Sequence, residues 1–192
     1  MLSSKIDVAY VRHDCDRLCQ GDILRDFSIV EWATKKEGAV EIHNRHLPYS
    51  VVITQDCDLE QDFYNRKDPS KNTDKYLQSI LLCPAYPAAT FREGKHLNDL
   101  GQKMQNINSD MWRQLKENKL ERYHYLTGWA DLQAPESVVD FKHYFTVPRD
   151  IVYTNGLNQC YLATIAELFR EHFSQRFAQY LSRIGMPEIK MT

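Results

Sequence analysis

The sequence lacks any apolar run long enough to cross a bilayer. No uninterrupted apolar segment exceeds four residues, and Val51–Ile53 and Ile80–Cys83 are examples, whereas a membrane-spanning helix needs about 20 apolar residues. The opening segment, MLSSKIDVAY, also lacks the apolar core of a secretory signal. These absences argue against a membrane partner and predict a cytoplasmic protein.

The cysteines lack the arrangement of a disulfide framework. There are five of them, an odd number, at irregular spacings, whereas small disulfide-stapled domains usually carry even sets. Cytoplasmic proteins keep their thiols reduced. We therefore expect free cysteines that are available for packing, for metal ligation or for chemistry.

An excess of positive charge is missing as well. The formal net charge is −2, although 26% of the residues are charged. Proteins that bind nucleic acid strongly and without sequence preference usually present a clearly basic face, so that class is disfavoured, while a local basic groove is compatible. The apolar fraction of 43% in 192 residues is that of a globular protein, and we expect a single domain over residues 1–192.

Short strands are predicted through most of the chain. Tyr49–Thr54 has a β-branched centre and should be a central strand buried on both faces. Val138–Val147 shows the strongest alternation of apolar and polar residues, and Pro148 ends it. Further strands are expected near 23–32, 39–42, 76–83 and 122–126, with a turn at Lys35–Gly38. This local order predicts a small, twisted antiparallel β-barrel or sheet with its core at about 20–153.

Two helical regions complete an α+β fold. Apolar residues at spacings of three and four predict a helical insertion at about 96–120, in which Ser109 caps the second helix. A C-terminal amphipathic helix is predicted at about 158–185, where Gly185 and Pro187 end it. Its apolar face comprises Leu162, Ile165, Phe169, Phe173, Phe177, Leu181 and Ile184.

The tripeptide Asp–Cys–Asp occurs twice, as Asp14–Asp16 and as Asp56–Asp58. The second copy follows the predicted central strand and begins a row of acids at every second position that continues to Asp62. Such a row is either a solvated acidic loop at a strand end or an oxygen-rich site for a divalent cation. It departs from the calcium-binding EF-hand pattern, because Gln61 stands where that pattern needs glycine and Lys67 where it needs glutamate.

Cys57 has two interpretations. As a nucleophile it would need a histidine such as His124 or His143 against it, because the flanking aspartates Asp56 and Asp58 disfavour a thiolate. As a small core residue it would point inward while the aspartates point outward. The candidate catalytic residues are therefore Asp56, Cys57, Asp58 and His124.

His13, Cys15 and Cys19 have a ligand-like spacing, and Cys57 or Cys83 would complete a tetrahedral zinc site. The paired CxxC motifs of most structural zinc sites are missing from this segment. No cofactor is required by the sequence, and a divalent metal is compatible with it.

Aromatic and basic residues alternate at 122–126, an arrangement suited to single-stranded nucleic acid and also common in half-buried edge strands. Arg122 and Tyr123 are the candidate contacts there. Arg176 and Arg183, seven residues apart on the predicted C-terminal helix, are candidate phosphate contacts.

The order of several short motifs resembles the MazF/PemK-type toxin family. The motifs are the Gly–Asp–Ile opening at Gly21–Ile23, the proline-initiated strand Pro48–Ile53, the strand Ile80–Pro84 that ends in proline, and the late strand Val138–Pro148 before a terminal helix. The resemblance implies an SH3-like barrel, and it implies a relationship to sequence-specific ribonucleases.

The family's catalytic residues do not carry over. Leu47 stands where the family has an arginine before the proline, although Arg45 is near. Ala85 stands where the family has serine or threonine after the second proline, with Thr90 further along. If the barrel is present, this chain either binds without cleaving or uses different groups.

These patterns lead to two functional expectations. The first is a binding or regulatory module related to toxin barrels, in a toxin–antitoxin or phage-defence setting, which acts on nucleic acid or a partner protein or associates with itself. The second is an enzyme: a divergent ribonuclease, or a hydrolase that depends on metal or on cysteine, aspartate and histidine.

Overall fold

The computed structural model describes residues 9–68, 70, 73–104 and 106–183. Within them the fold is α+β, and eight strands form one antiparallel sheet that curls into a half-barrel. The strands are β1 (Tyr10–Val11), β2 (Asp22–Lys36), β3 (Ala39–Val52), β4 (Ser79–Pro87), β5 (Tyr123–Leu126), β6 (Ser137–Asp140), β7 (Phe145–Pro148) and β8 (Tyr161–Ile165). Their order is β1-β8-β2-β3-β4-β6-β5, with β7 also paired to β4. The α+β class and the barrel-like antiparallel sheet are confirmed.

The helices lie between the strands and after them. They are α1 (Asp56–Arg66), α2 (Ala88–Arg92), α3 (Ser109–Lys116), α4 (Arg149–Ile151), α5 (Asn158–Cys160) and α6 (Glu167–Leu181). A π-helical turn at Val152–Leu157 joins α4 to α5, and short 3₁₀ turns occupy Lys95–Leu100, Ala130–Leu132 and Phe141–His143. No helix in the described ranges has both the length and the apolar character needed to cross a membrane.

The predicted central strand is confirmed in β3. Because side chains alternate along a strand, Val51 and Val52 enter two different apolar clusters on opposite faces of the sheet. Val51 packs in the cluster that includes Phe173 and Phe177 of α6. Val52 packs with Leu59 of α1 and other residues on the opposite face. This strand therefore holds both layers of the core together.

The predicted turn at Lys35–Gly38 is also confirmed. Lys36 pairs with Ala39 across a two-residue turn in which Glu37 and Gly38 have φ angles of 50° and 88°. Two successive positive φ values are the signature of a type I′ turn, whose twist matches that of the flanking strands. The result is a long β2–β3 hairpin, and we call its outer part, residues 28–46, the arm.

The prediction of one strand over Val138–Val147 is wrong. The chain leaves β6 at Asp140, makes a 3₁₀ turn and returns as β7. Asp140 causes the break, because its buried carboxylate accepts hydrogen bonds from the Lys142 N–H and from the guanidinium of Arg122. Strands β6 and β7 then pair with successive parts of β4.

Of the two prolines expected to end the next strand, Pro84 does not end it and Pro87 does. Strand β4 continues through Pro84 to Pro87. On one side Pro84 faces Ser50, and on the other side it falls between the β7 and β6 pairings, which cover residues 79–82 and 85–87. Its missing N–H therefore leaves no partner unsatisfied on that side.

The predicted start of the C-terminal helix, at about residue 158, is wrong. Tyr161–Ile165 forms β8, which pairs with both β1 and β2, and α6 begins only at Glu167. Apolar residues at 162, 163 and 165 fit strand and helix periods about equally well in so short a segment. The predicted end of this helix at Ile184–Pro187 lies outside the described residues.

The helical insertion is present, as the 3₁₀ turn at 95–100 and as α3. Its cap differs from the prediction, because Asn108 rather than Ser109 caps α3: the Asn108 side chain accepts a hydrogen bond from the Met111 N–H at 2.9 Å. Amide and hydroxyl side chains are both good caps, so the sequence left the choice between these neighbours open.

Asp62 ties α1 to α4. Its carboxylate is buried and accepts hydrogen bonds from Arg66 Nε at 2.7 Å, Arg149 Nε at 2.8 Å and the Leu77 N–H at 2.9 Å. An alanine at position 62 would leave two arginines facing a site without a carboxylate. A buried ion pair that loses one partner is strongly destabilised.

We therefore expect Asp62→Ala to lower the free energy of unfolding by about 3 kcal/mol, as measured by urea denaturation. Glu60→Ala is the matched control, because Glu60 is exposed on the same helix and its loss should cost less than about 0.5 kcal/mol. Equal effects of the two variants would contradict the role of Asp62.

Candidate functional site

The segment His13–Asp22, which we call the thiol loop, joins β1 to β2 and carries two of the cysteines. The Gly21 N–H donates to the Val52 carbonyl at 2.9 Å, and Gln20 Nε2 donates to the Ile53 carbonyl at 3.0 Å. Leu18 is fully buried in the apolar cluster that contains Val52. These contacts fix the loop against the end of β3.

The loop brings three predicted metal ligands together. Cys15 Sγ lies 2.9 Å from His13 Nδ1 and 3.7 Å from Cys19 Sγ. One ligand atom from each of the three residues lies within 4.8 Å of the other two. Cys15 is exposed, Cys19 is buried and His13 is half-buried. The spatial cluster that the spacing suggested is present.

The two cysteines suggested as a fourth ligand lie elsewhere. Cys83 is buried in the cluster packed under α6. Cys57 lies in the first turn of α1, where its Sγ contacts Gln55 Oε1 at 3.7 Å and Asp58 Oδ1 at 3.8 Å. Neither belongs to the group of convergent ligand atoms found among the described residues.

Asp22 organises the cluster, and the sequence reasoning missed this role. Its fully buried carboxylate lies 3.0 Å from His13 Nε2 through Oδ1. The same Oδ1 accepts from the Thr164 hydroxyl at 2.6 Å, and Oδ2 accepts from the Cys19 N–H at 2.7 Å. An aspartate directly before a buried strand was the available signal, because such a carboxylate needs donors from nearby segments.

The environment of Cys19 opposes a free thiolate. Burial, followed by the charge of Asp22, raises the pKa of the Cys19 thiol far above its usual range, and the nearby Arg17 only partly offsets this. Without a cation at the cluster, the thiol is therefore protonated.

The second Asp–Cys–Asp copy contacts the thiol loop. Arg17 donates two hydrogen bonds of 3.0 Å to the two oxygens of Asp56, and the Gln20 N–H donates to Asp56 Oδ1 at 3.1 Å. Partial burial opposes ionisation of Asp56, but the hydrogen bonds from Arg17 and Gln20 outweigh it and lower the pKa of this carboxyl. The second tripeptide is thus joined to the thiol loop by a bidentate ion pair with Arg17, the residue that directly follows the first tripeptide.

The structure corrects the local interpretation of Asp56–Asp62. The chain forms helix α1 rather than an acidic loop, so acids two positions apart point in different directions: Asp62 is buried, whereas Asp58 and Glu60 are exposed. The interpretation of Cys57 as a core residue is wrong, because its side chain is exposed. A short polar segment after a strand suits a helix start as well as a loop.

His124 does not join this group. Its buried ring packs edge-on against Phe173 at 4.9 Å between centroids, and it makes no hydrogen bond with Asp56, Cys57 or Asp58. Burial, with smaller contributions from the charges of Arg176 and His172, lowers the pKa of His124 to about 3. The four residues grouped as catalytic candidates are therefore divided between two regions of the fold.

The predicted nucleic-acid contacts are largely engaged within the protein. Arg122 forms a bidentate pair with buried Asp140 at 2.8 and 2.6 Å, and its guanidinium lies over the ring of Tyr123. Arg176 donates to the backbone carbonyls of residues 118, 120 and 123. Arg183 is about half exposed at the end of α6. A role for these residues in binding nucleic acid stays a prediction.

Arg45 and Thr90 lie near the two sequence positions that lack the toxin family's catalytic residues, and the structure brings them together. Arg45 and Thr90 line one cavity of about 260 Å³, which His96 also lines. Burial lowers the pKa of His96 to about 4. His96 carries no sequence signal of a functional role, because it lies in a helical insertion with no motif around it.

Within the part of the chain that the structure describes, the two strands of the arm pair only with each other. Strand β8 pairs with β2 only at Asp22–Leu24, and β4 pairs with β3 only at Tyr49–Val52. Among the described residues, both outer edges of the arm therefore lack a strand partner. Large apolar side chains are exposed along it: Val30, Trp32, Val40 and Ile42.

A scan against protein-family models finds no match for this chain, and a search of curated proteins finds none either.

The buried, neutral His124 predicts a specific pH dependence. Its pKa is about 3 in the folded protein and about 6.5 when unfolded, so the unfolded chain binds the extra proton between these values. Stability should therefore fall as the pH is lowered from 6.5 towards 3, by at most about 1.4 kcal/mol per pH unit from this residue.

Denaturation of wild type and His124→Phe at pH 6.5 and 4.5 measures this contribution. The free energy of unfolding of His124→Phe should fall distinctly less than that of the wild type between pH 6.5 and 4.5. His46→Phe is the control, because His46 is exposed on the arm and its removal should leave the wild-type loss unchanged. If His124→Phe loses as much unfolding free energy on acidification as the wild type does, His124 is not held neutral in the folded protein.

Proposed function

We propose that this chain is a protein-binding regulatory module of the toxin-barrel type, with an SH3-like sheet as its scaffold and the arm as its contact surface. The single observation that carries the proposal is a long two-stranded ribbon with free edges and exposed apolar side chains. An isolated two-stranded ribbon is at best marginally stable in water. A partner that adds a further strand would therefore stabilise the arm.

The backbone supports this mode of binding. Unpaired N–H and C=O groups along a strand edge are a template for another extended chain. The apolar side chains support it too, since Val40 is 66% exposed, Val30 59% and Ile42 57%. A partner strand would shield these side chains as well as pair with the backbone.

Charge complementarity favours a second copy of this chain as the partner. If two β3 edges pair antiparallel around His43, Glu41 of each copy faces Arg45 of the other, which also contacts Glu31 of its own chain at 3.4 Å. Opposite charges directly across a strand pair contribute about 0.2–1 kcal/mol each, and a two-fold interface forms each pair twice. The β2 edge is less suited, because its register shifts between Val30 and Trp32.

This pairing predicts the result of a charge swap. In Glu41→Arg, an arginine at position 41 of each copy faces Arg45 of the other, so two like-charged pairs replace the two opposite ones. Self-association should weaken about tenfold, measured as a dimer Kd by sedimentation equilibrium. The double variant Glu41→Arg with Arg45→Glu should recover the association, because the opposite pairs form again.

Glu37→Arg is the matched control, because Glu37 lies in the turn beyond the paired residues and should leave the Kd unchanged. A wild-type protein that stays monomeric at about 100 μM would contradict self-pairing. So would a double variant as weak as the single one.

A second function is favoured by the cavity that Arg45 and Thr90 share. A cation, a hydroxyl and the neutral imidazole of His96 at one cavity are suited to hold an RNA phosphate and its neighbouring hydroxyl. We propose divergent ribonuclease activity as the alternative to the binding module.

This alternative predicts that the wild type cleaves a single-stranded RNA with a fluorophore and quencher at its ends. Thr90→Val and His96→Gln should each reduce cleavage about a hundredfold. Arg92→Gln is the control, because Arg92 lies over the ring of Trp112, outside this cavity. Cleavage that both cavity variants retain would show that the activity does not arise at this cavity and would refute the proposal.

A further inference from the structure

We propose that the thiol loop is a binding site for one thiophilic divalent metal ion, with Zn²⁺ as the preferred ion. The ligands are His13 Nδ1, Cys15 Sγ and Cys19 Sγ. This inference is independent of the arm, because it is carried by a different set of residues at the other end of β2.

The separation of the two sulfurs fits the ion. In a tetrahedral site with zinc–sulfur bonds of about 2.3 Å, two sulfurs lie about 3.8 Å apart. The two Sγ atoms are 3.7 Å apart here. They therefore need almost no movement to share one zinc ion.

The imidazole needs a small adjustment. A nitrogen and a sulfur on one tetrahedral zinc lie about 3.5 Å apart, whereas His13 Nδ1 and Cys15 Sγ lie 2.9 Å apart. Cys15 is exposed on the loop, so its sulfur has room to move away from Nδ1 while it stays about 3.8 Å from Cys19 Sγ. The ion would then occupy the space between the three atoms.

Asp22 supplies the outer contact that metal-bound histidines typically have. Its carboxylate lies 3.0 Å from His13 Nε2, an arrangement that holds the proton on Nε2 and leaves Nδ1 free to ligate. Asp22 is itself fixed by the Thr164 hydroxyl and by the Cys19 N–H. The same buried carboxylate thus orients one ligand and positions the backbone of another.

Cys19 distinguishes a metal site from a catalytic thiol. Cys15, His13 and Asp22 alone also have the connectivity of a thiol–imidazole–carboxylate triad. A hydrolytic triad does not need a second thiol 3.7 Å from its nucleophile, whereas a zinc ion gains a third protein ligand from it. Cys19 therefore favours the metal, and two thiolates neutralise its two charges.

The fourth coordination position is open. Within the described part of the chain, no further histidine, cysteine or carboxylate atom joins the three-residue group. Sites with three protein ligands and an open position bind water or an exchangeable ligand there. The exposed side of Cys15 is where that ligand would stand.

Zinc content and cobalt spectroscopy of the full chain test the proposal. Protein incubated with Zn²⁺ and passed through a desalting column should retain one ion per chain by elemental analysis. Co²⁺ should give thiolate-to-metal charge-transfer bands and the intense visible bands of tetrahedral coordination. A hundredfold excess of Zn²⁺ over its Kd should raise the melting temperature by about 5 °C or more.

Three variants assign the ligands. Cys19→Ser should weaken Zn²⁺ binding at least a hundredfold, and Asp22→Asn should weaken it about tenfold to a hundredfold with the stoichiometry kept. Cys57→Ser is the matched control, because Cys57 is exposed at the neighbouring helix start, and it should bind as the wild type does. Circular dichroism of each metal-free variant separates loss of binding from loss of folding.

Two results would overturn the proposal. One is wild-type protein that retains no zinc and shows no thermal shift. The other is zinc binding that is unchanged in folded Cys19→Ser. Rapid alkylation of Cys15 that depends on His13 but not on Cys19, in protein that binds no metal, would replace the metal site with a thiol triad.

Discussion

The buried carboxylate of Asp22 is the constraint on which the first part of the structure depends. A carboxylate away from water is costly unless hydrogen-bonding partners surround it, and here the partners come from β8 and from two residues of the thiol loop, His13 and Cys19. Satisfying this one group closes the loop tightly before β2. The same closure sets Cys15 beside Cys19 and turns Arg17 towards Asp56 at the start of α1.

Sequence patterns predicted those parts of the fold in which one local signal dominates. The β-branched centre of Tyr49–Thr54 predicted a strand buried on both faces, and the segment Lys35–Gly38 predicted the hairpin turn. The patterns failed where a distant side chain decides the backbone. Asp140 breaks an apparently continuous alternation because Arg122, which directly precedes β5, pairs with it, and no periodicity within residues 138–147 contains that information.

In the candidate site, too, local spacing was predictive and contacts between distant segments were not. Spacing alone suggested that His13, Cys15 and Cys19 could share an ion, and the structure brings them together because all three lie on one short loop. The link between Asp56 and His124 depended on tertiary placement, and the structure sets them in different regions. Asp22 was missed because a residue that orients a ligand carries no spacing signature of its own; its role is defined by what lies around it.

The thiol loop and the arm lie at opposite ends of one strand. From Asp22 to Lys36, β2 extends about 45 Å along its length at the usual rise per residue. Its first three residues are held by β8, whereas its outer part pairs only with β3. Interactions this far apart, with no shared side chain, usually contribute additively to the free energy. A metal at the loop would therefore stabilise the root of the hairpin without changing which strand the arm selects, and the charges and free edges of the arm alone would set its partner.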